Sequence, residues 1–264
     1  RRTHGDSDSI EEALARLPHA GGRLCLLPGV HETNAEIAGM ANVTITGCGK
    51  ATRVVPRPGR REAPIFTIAD SECVTLENME MISLSGVAMR ATATDDAALR
   101  RLTVAGNGIV ACTRAIQVEG GAETAIRGNR IRMLDRQGAG VAVYLAGADG
   151  RIEENDIGVV PAGVTPQPPR GTDEDAQPDD PNDPCAEPET IYGDEGFLLG
   201  FVEFVSAFVL TSIVPPPYRA LGGVQLAAGA ERIAVTGNRI RGGAGNGITL
   251  GGHHVDPRPG AASG

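Results

Sequence analysis

The feature that most limits what this chain can fold into is a short motif that keeps returning. It consists of an aliphatic residue, any residue, usually Gly, then Asn, any residue and Ile. It reads Val104-Ala-Gly-Asn107-Gly-Ile109, Ile126-Arg-Gly-Asn129-Arg-Ile131, Ile152-Glu-Glu-Asn155-Asp-Ile157 and Val235-Thr-Gly-Asn238-Arg-Ile240. Two degenerate copies come earlier, Ile45-Thr-Gly-Cys48 and Leu76-Glu-Asn-Met79. From residue 45 the copies are spaced by 31, 28, 22, 26 and then 83 residues. Self-similarity at a period of about 20–50 residues marks a repeat architecture. Between the copies lie Ile116-Gln-Val118, Val141-Ala-Val-Tyr-Leu145, Val224-Gln-Leu226 and Ile248-Thr-Leu250. Apolar and polar residues in alternation, bounded by Gly and Asn, read as short strands with one buried face.

Several short strands in each irregular repeat predict an all-β fold, a right-handed single-stranded parallel β-helix. One winding of such a solenoid leaves its inner face bare, whereas windings stacked about 4.8 Å apart share a continuous aliphatic core. The asparagines fit that geometry. At a turn Asn tolerates the left-handed conformation and bonds backbone, and stacked amides bond one another. Asn107, Asn129, Asn155 and Asn238 are therefore expected to form a structural ladder along the axis. A leucine-rich repeat competes poorly, because Leu is sparse and the spacing uneven.

The N-terminus agrees with this reading. Ser9 and Glu12 make a capping box, and Ile10, Ala13, Leu14 and Leu17 fall on one helical face before Pro18. A short helix here would cover the open edge of the first winding. The stretch from Ser9 to His31, with its helix pattern, Gly21-Gly22, Leu24-Cys-Leu-Leu and Pro28-Gly29, resembles the opening of the pectate-lyase-like β-helix superfamily. The resemblance covers residues 6–56 and, through the Asn repeats, 98–160 and 222–251. It implies a fold and says little of chemistry, since that superfamily spans lyases, hydrolases, epimerases and non-catalytic surface or phage-tail proteins. The expected organisation is an arm and capping helix over 1–22, β-helix windings over 23–160, and an insertion over 161–221. Final windings over 222–252 and a tail over 253–264 complete it.

Composition excludes some partners. The formal charge is −9, and aromatic residues are only 3% with no Trp, poor material for binding nucleic acid. The charge is also unevenly placed. Residues 171–195 hold ten acids and no base, while outside 161–221 there are 22 acids and 22 bases. Five cysteines show no metal-ligand spacing. Buried free thiols are the simplest reading, with a Cys25–Cys48 bridge open to the chain if both fall in one column. The sequence opens at Arg1 without a signal-peptide pattern, as a piece of a longer chain would, so targeting is not read from it.

Lyase action like that of the superfamily's enzymes would need clustered carboxylates for Ca²⁺ and a basic Arg. Hydrolysis would need an Asn-Thr-Asp motif, an Asp pair and Gly-His-Gly. The chain offers Asp95-Asp96 and Gly252-His253-His254, placed several windings apart, and neither full motif. Registering the Asn copies stacks Thr46, Glu77, Ala105, Arg127, Glu153 and Thr236 in one column. A second column holds Gly49, Glu80, Gly108, Arg130, Asp156 and Arg239. Neighbours then pair as Arg127 with Glu153 and Arg130 with Asp156, which reads as structural ion pairing. Glu153, Asp156 and Arg127 remain the weak catalytic candidates. A third column, Gln117, Tyr144 and Gln225, offers amide and phenol groups on a flat sheet, suited to hydrogen bonding and stacking a glycan.

The insertion has two parts. Residues 161–196 are rich in Pro and acid, as a solvated loop would be, and Asp179, Asp180 and Asp183 are weak Ca²⁺ candidates without EF-hand spacing. Residues 197–214 are apolar, and Phe197, Phe201, Phe204 and Phe208 lie within about 60° on a helix. Packing on the β-helix flank or self-association suits this segment better than a membrane, since ten acids and no flanking bases precede it.

The expected function is a non-catalytic structural or recognition module. It would bind a polysaccharide and belong to a larger surface or phage-tail-like assembly, outside the cell or on a particle. The alternative is a polysaccharide lyase or glycoside hydrolase acting on a uronate-containing polymer. No cofactor is called for beyond the weak Ca²⁺ site.

Overall fold

The structure is a computed structural model that describes residues 7–18, 20–94, 98–135, 140–160 and 220–251. Period-2 alternation in the sequence becomes parallel strands that wind as a β-helix with three faces. The first face stacks Gly22–Cys25, the start of Ala41–Val55, the start of Glu72–Ser83, Thr103–Ala105, Ala125–Arg127, Arg151–Glu153 and Ala234–Thr236. The second stacks Gly29–Glu32, the ends of the same two long strands, Gly108–Ala111, Arg130–Leu134, Asp156–Val160 and Arg239–Arg241. The third stacks Ala35–Ala38, Phe66–Ala69, Val87–Thr92, Arg114–Ala122, Val141–Ala148, Val224–Leu226 and Ile248–Leu250. Among the described residues each face thus has seven rungs, or six steps from first to last. The right hand is the one that parallel crossovers take.

The copy spacings reappear as strand register. Ile45 pairs with Leu76, Leu76 with Val104, Val104 with Ile126, Ile126 with Ile152, and Ile152 with Val235. Inward columns fill the core, as Met81, Ile109, Ile131 and Ile157 do behind the second face, all 0–1% exposed. Each such side chain gains roughly 1.5–3 kcal/mol by leaving water.

At the corner between the first and second faces the asparagines lie on top of one another. Asn129 Oδ1 accepts from Asn107 N at 3.0 Å, Asn155 Oδ1 from Asn129 N at 2.9 Å, and Asn238 Oδ1 from Asn155 N at 2.9 Å. The Nδ2 groups of Asn107, Asn129, Asn155 and Asn238 donate to the carbonyls of Leu76, Val104, Ile126 and Ile152, one rung back. That closes the motif: the aliphatic residue three before each Asn supplies the carbonyl that the next Asn holds. The residue just before the Asn turns with positive φ, +65° at Gly106, +62° at Gly128 and +64° at Gly237, which explains the usual glycine. Glu154 adopts +56° at the same place without that freedom.

The first rung is covered by a helix, Ile10–Ala15, capped by Ser9 Oγ accepting from Glu12 N at 3.1 Å. Ile10 and Leu14 join the core beside Leu26. Glu12 turns back to Asp8 N rather than to the Ser9 amide. In the sequence, residues 161–219 separate Asp156–Val160 on the second face from Val224–Leu226 on the third. Ala220 N donates to Asp135 Oδ1 at 2.6 Å. Near that corner Ile82, Val110, Leu134 and Val160 form a small second apolar cluster on the outer side of the second face.

Candidate functional site

The outer side of the third face carries a column of polar residues in register. Alternation turns every second side chain of a strand outward. Val118, Leu145 and Leu226 point in, so Gln117, Tyr144 and Gln225 point out on three successive rungs, each in register with the next. The column continues in both directions: Glu36, Thr67 and Arg90 precede Gln117, and Thr249 follows Gln225. All seven rungs therefore present a polar side chain.

Its centre is built closely. Gln117 is 2% exposed, and its Nε2 donates to Glu119 Oε1 at 2.6 Å. Ala115 and Ile116 both enter the core, an irregularity that sends Arg114 outward. The Arg114 guanidinium lies 4.5 Å from the centre of the Tyr144 ring, a cation–π contact that fixes the phenol's orientation. Two buried polar atoms stay without a partner, Gln117 Oε1 and Arg90 Nε, on adjacent rungs. A buried acceptor or donor left unpaired costs about 1–3 kcal/mol. One of the two is an acceptor and the other a donor, and a hydroxyl is the group that can pair with either kind.

The weak catalytic candidates are not assembled into a site. Arg127 and Glu153 stand side by side in register on the first face, but no ion pair forms between them. Arg127 is exposed and Glu153 half-buried. Asp156 lies around the Asn155 corner on the second face. It is in register with Arg130 yet is held by other arginines, Arg132 Nη2 at 2.7 Å and Arg241 Nη2 at 3.0 Å. The expected Arg130–Asp156 pair is thereby corrected, and the reason is Gly158. It stands between Arg132 and Arg241 in register and has no side chain, so both guanidinium groups reach the carboxylate from either side. Burial pushes the Asp156 pKa up, but the hydrogen bonds from Arg132 and Arg241 outweigh it and hold the carboxyl below its ordinary value. Burial lowers the Arg132 pKa in turn, against the opposing pull of Asp156.

Two further expectations are corrected. Gly49 does not pair with Glu80. Residues 50–52 are extra relative to the next rung, so Gly49 meets Met79 and Arg53 takes the place opposite Glu80. Cys25 is a free thiol but an exposed one rather than buried; it is in register with Thr46, two residues short of Cys48, so the bridge left open between the two does not form. Asp95, Asp96, Asp179, Asp180, Asp183, Phe197, Phe201, Phe204, Phe208, His253 and His254 lie outside the described residues. Among the described residues no three His, Cys, Asp or Glu side chains converge as metal ligands.

Sequence reasoning missed Arg90, Arg114 and Glu119. Arg90 was readable as the polar member of Met89-Arg90-Ala91, the same alternation as Ile116-Gln117-Val118. Arg114 carried no such signal, because its outward turn depends on the local irregularity. No protein-family model, no curated protein and no solved structure matches this chain.

Proposed function

We propose that this chain is a glycan-recognition module, a divergent pectate-lyase-like β-helix without catalytic action. On this reading an extended sugar chain lies along the outer side of the third face. The observation that carries the reading is the unbroken polar column Glu36, Thr67, Arg90, Gln117, Tyr144, Gln225 and Thr249. A regular row of donors and acceptors suits a polymer with a repeating pattern of hydroxyls. Arg90 and Arg114 beside the central Gln117 favour acidic sugars, whose carboxylates take charge-assisted hydrogen bonds.

The carboxylates speak for binding rather than cleavage. Glu36 and Glu119 on this face are three rungs apart and offset by two residues along the strand, about 16 Å at the spacings of parallel strands. Glycosidases place their two carboxyl groups roughly 5–9.5 Å apart. Asn107, Asn129, Asn155 and Asn238 serve the module as corner staples, holding the rungs that present the column.

The test is a glycan array probed with the wild-type chain and with the double variant Gln117→Ala, Tyr144→Ala. Binding to acidic oligosaccharides is expected, weakened at least tenfold by the double substitution. Equal binding by both proteins overturns the site. Release of unsaturated products or new reducing ends from uronate polymers overturns the non-catalytic reading in favour of a lyase or hydrolase.

A further inference from the structure

The second face carries a cavity of about 190 Å³ on its outer side, lined by Lys50, Glu80, Gly108, Val110, Arg130 and Arg132 among others. It opens to solvent where Lys50 and Arg130 are exposed, and it ends against the buried Glu80 and Arg132. Its depth comes from one residue. Gly108 stands in register between Glu80 and Arg130, and a Cβ there would lie 3.2 Å from Glu80 Cγ. Without that side chain a notch is left in the column.

The charges around the notch do not cancel. Glu80 faces Arg53, with Nε 3.6 Å from Oε2, and Arg132 is paired with Asp156 at 2.7 Å. Lys50 and Arg130 also line the notch, and neither forms an ion pair among the described residues. Arg130 is left over because Asp156, its register neighbour, is taken by Arg132 and Arg241. Arg132 itself is 3% exposed and its Nε has no hydrogen-bond partner. A guanidinium so far removed from water gains from every additional counter-charge, because the surrounding protein screens weakly. Two uncommitted cations at the mouth, a buried one behind them and an open floor make a receptor for one negative group of modest size.

We propose that this notch binds an oxyanion, a carboxylate, sulfate or phosphate group, gripped by Lys50 and Arg130 against the buried charge of Arg132. The site is separate from the polar column of the third face and would stand if that column bound nothing.

The experiment is a titration of the full chain, labelled at the arginine side chains, followed by NMR at constant ionic strength. Sodium sulfate, inorganic phosphate and galacturonate are added in separate arms, with chloride as the reference, so that tetrahedral anions and a sugar carboxylate are told apart. Saturable movement of the Arg130 and Arg132 Nε–H signals is expected with at least one of the three. The double variant Lys50→Gln, Arg130→Gln changes two exposed residues, and its thermal midpoint is measured alongside. Its affinity is expected to fall at least tenfold with the midpoint unchanged. The proposal is overturned if none of the anions gives a saturable shift at tens of millimolar, if the double variant binds as the wild type does, or if all arginines shift alike, as general screening would produce.

Discussion

Among single residues the corner asparagines do most to define this protein. Asn129 accepts from the Asn107 backbone and donates to the Val104 carbonyl, and it is 1% exposed. Asn129→Ala strands both of these groups in the interior at about 1–3 kcal/mol each. A loss of roughly 2–6 kcal/mol in urea unfolding is expected, with no compensating water at so buried a corner. Glu154 offers the opposite case. It holds φ +56° where neighbouring rungs use glycine, a conformation that costs a side-chain-bearing residue about 1–2 kcal/mol. Glu154→Gly is therefore expected to raise the thermal midpoint, by an amount reduced because glycine loses more entropy on folding. A lowered midpoint would show that the Glu154 side chain makes a contact worth more than the strain.

Between rungs, register brings side chains together but does not decide which of them bond. The Arg127–Glu153 and Arg132–Asp156 neighbours make the contrast. Double-mutant cycles should find almost no coupling for the first and clear coupling for the second, whose arginine is buried. Acid titration reads the same difference. The folded-state pKa of Asp156 is depressed, so its contribution is fully present above the ordinary carboxylate pKa, near 3.9, and is lost as pH falls through the lower folded value. Asp156→Asn should flatten the wild type's loss of stability below about pH 4. An unchanged acid limb would contradict the assignment.

These pairs also show what the sequence made legible. The stacking of Val104 on Ile126 on Ile152 followed from spacing alone, because each Asn can be satisfied only one rung away from its neighbour. The choice of Arg132 over Arg130 turned on Gly158, a small residue whose effect exists only once three rungs are stacked. The slip at Gly49 was hidden for a related reason. Thr52 Oγ1 accepts from Cys48 N at 2.9 Å, doing at that corner what an Asn does elsewhere, so the bulge leaves no motif behind. In the third column the degenerate copies before residue 100 obscured the register, and Arg90 went unread while Gln117, Tyr144 and Gln225 were found.

Across the whole molecule, stability in a solenoid is a sum over neighbouring rungs, and the ends open first. The N-terminal rung is covered by Ile10–Ala15, and Glu11 ties that helix to Thr33 Oγ1 at 2.7 Å and to Arg57 at 2.8 Å. At the other end Ile248 and Leu250 are 45% and 75% exposed. Hydrogen exchange should therefore be fastest at Ile248–Leu250 and at least tenfold slower at Ile116–Val118 on the same face. Uniform protection across both would contradict independent rungs. The distribution of charge fits the same organisation, with a near-neutral body and its acidic excess confined to the segment that follows Val160.

The chain returns after 83 residues to stack Thr236 directly on Glu153. Parallel neighbours of this kind have Cα atoms about 4.8 Å apart, inside the range a disulfide spans. The direct measurement is oxidation of the double variant Glu153→Cys, Thr236→Cys, followed by peptide mapping. The stacked winding predicts a crosslinked peptide joining the two positions in the folded chain; two thiols that stay free under oxidation would contradict it.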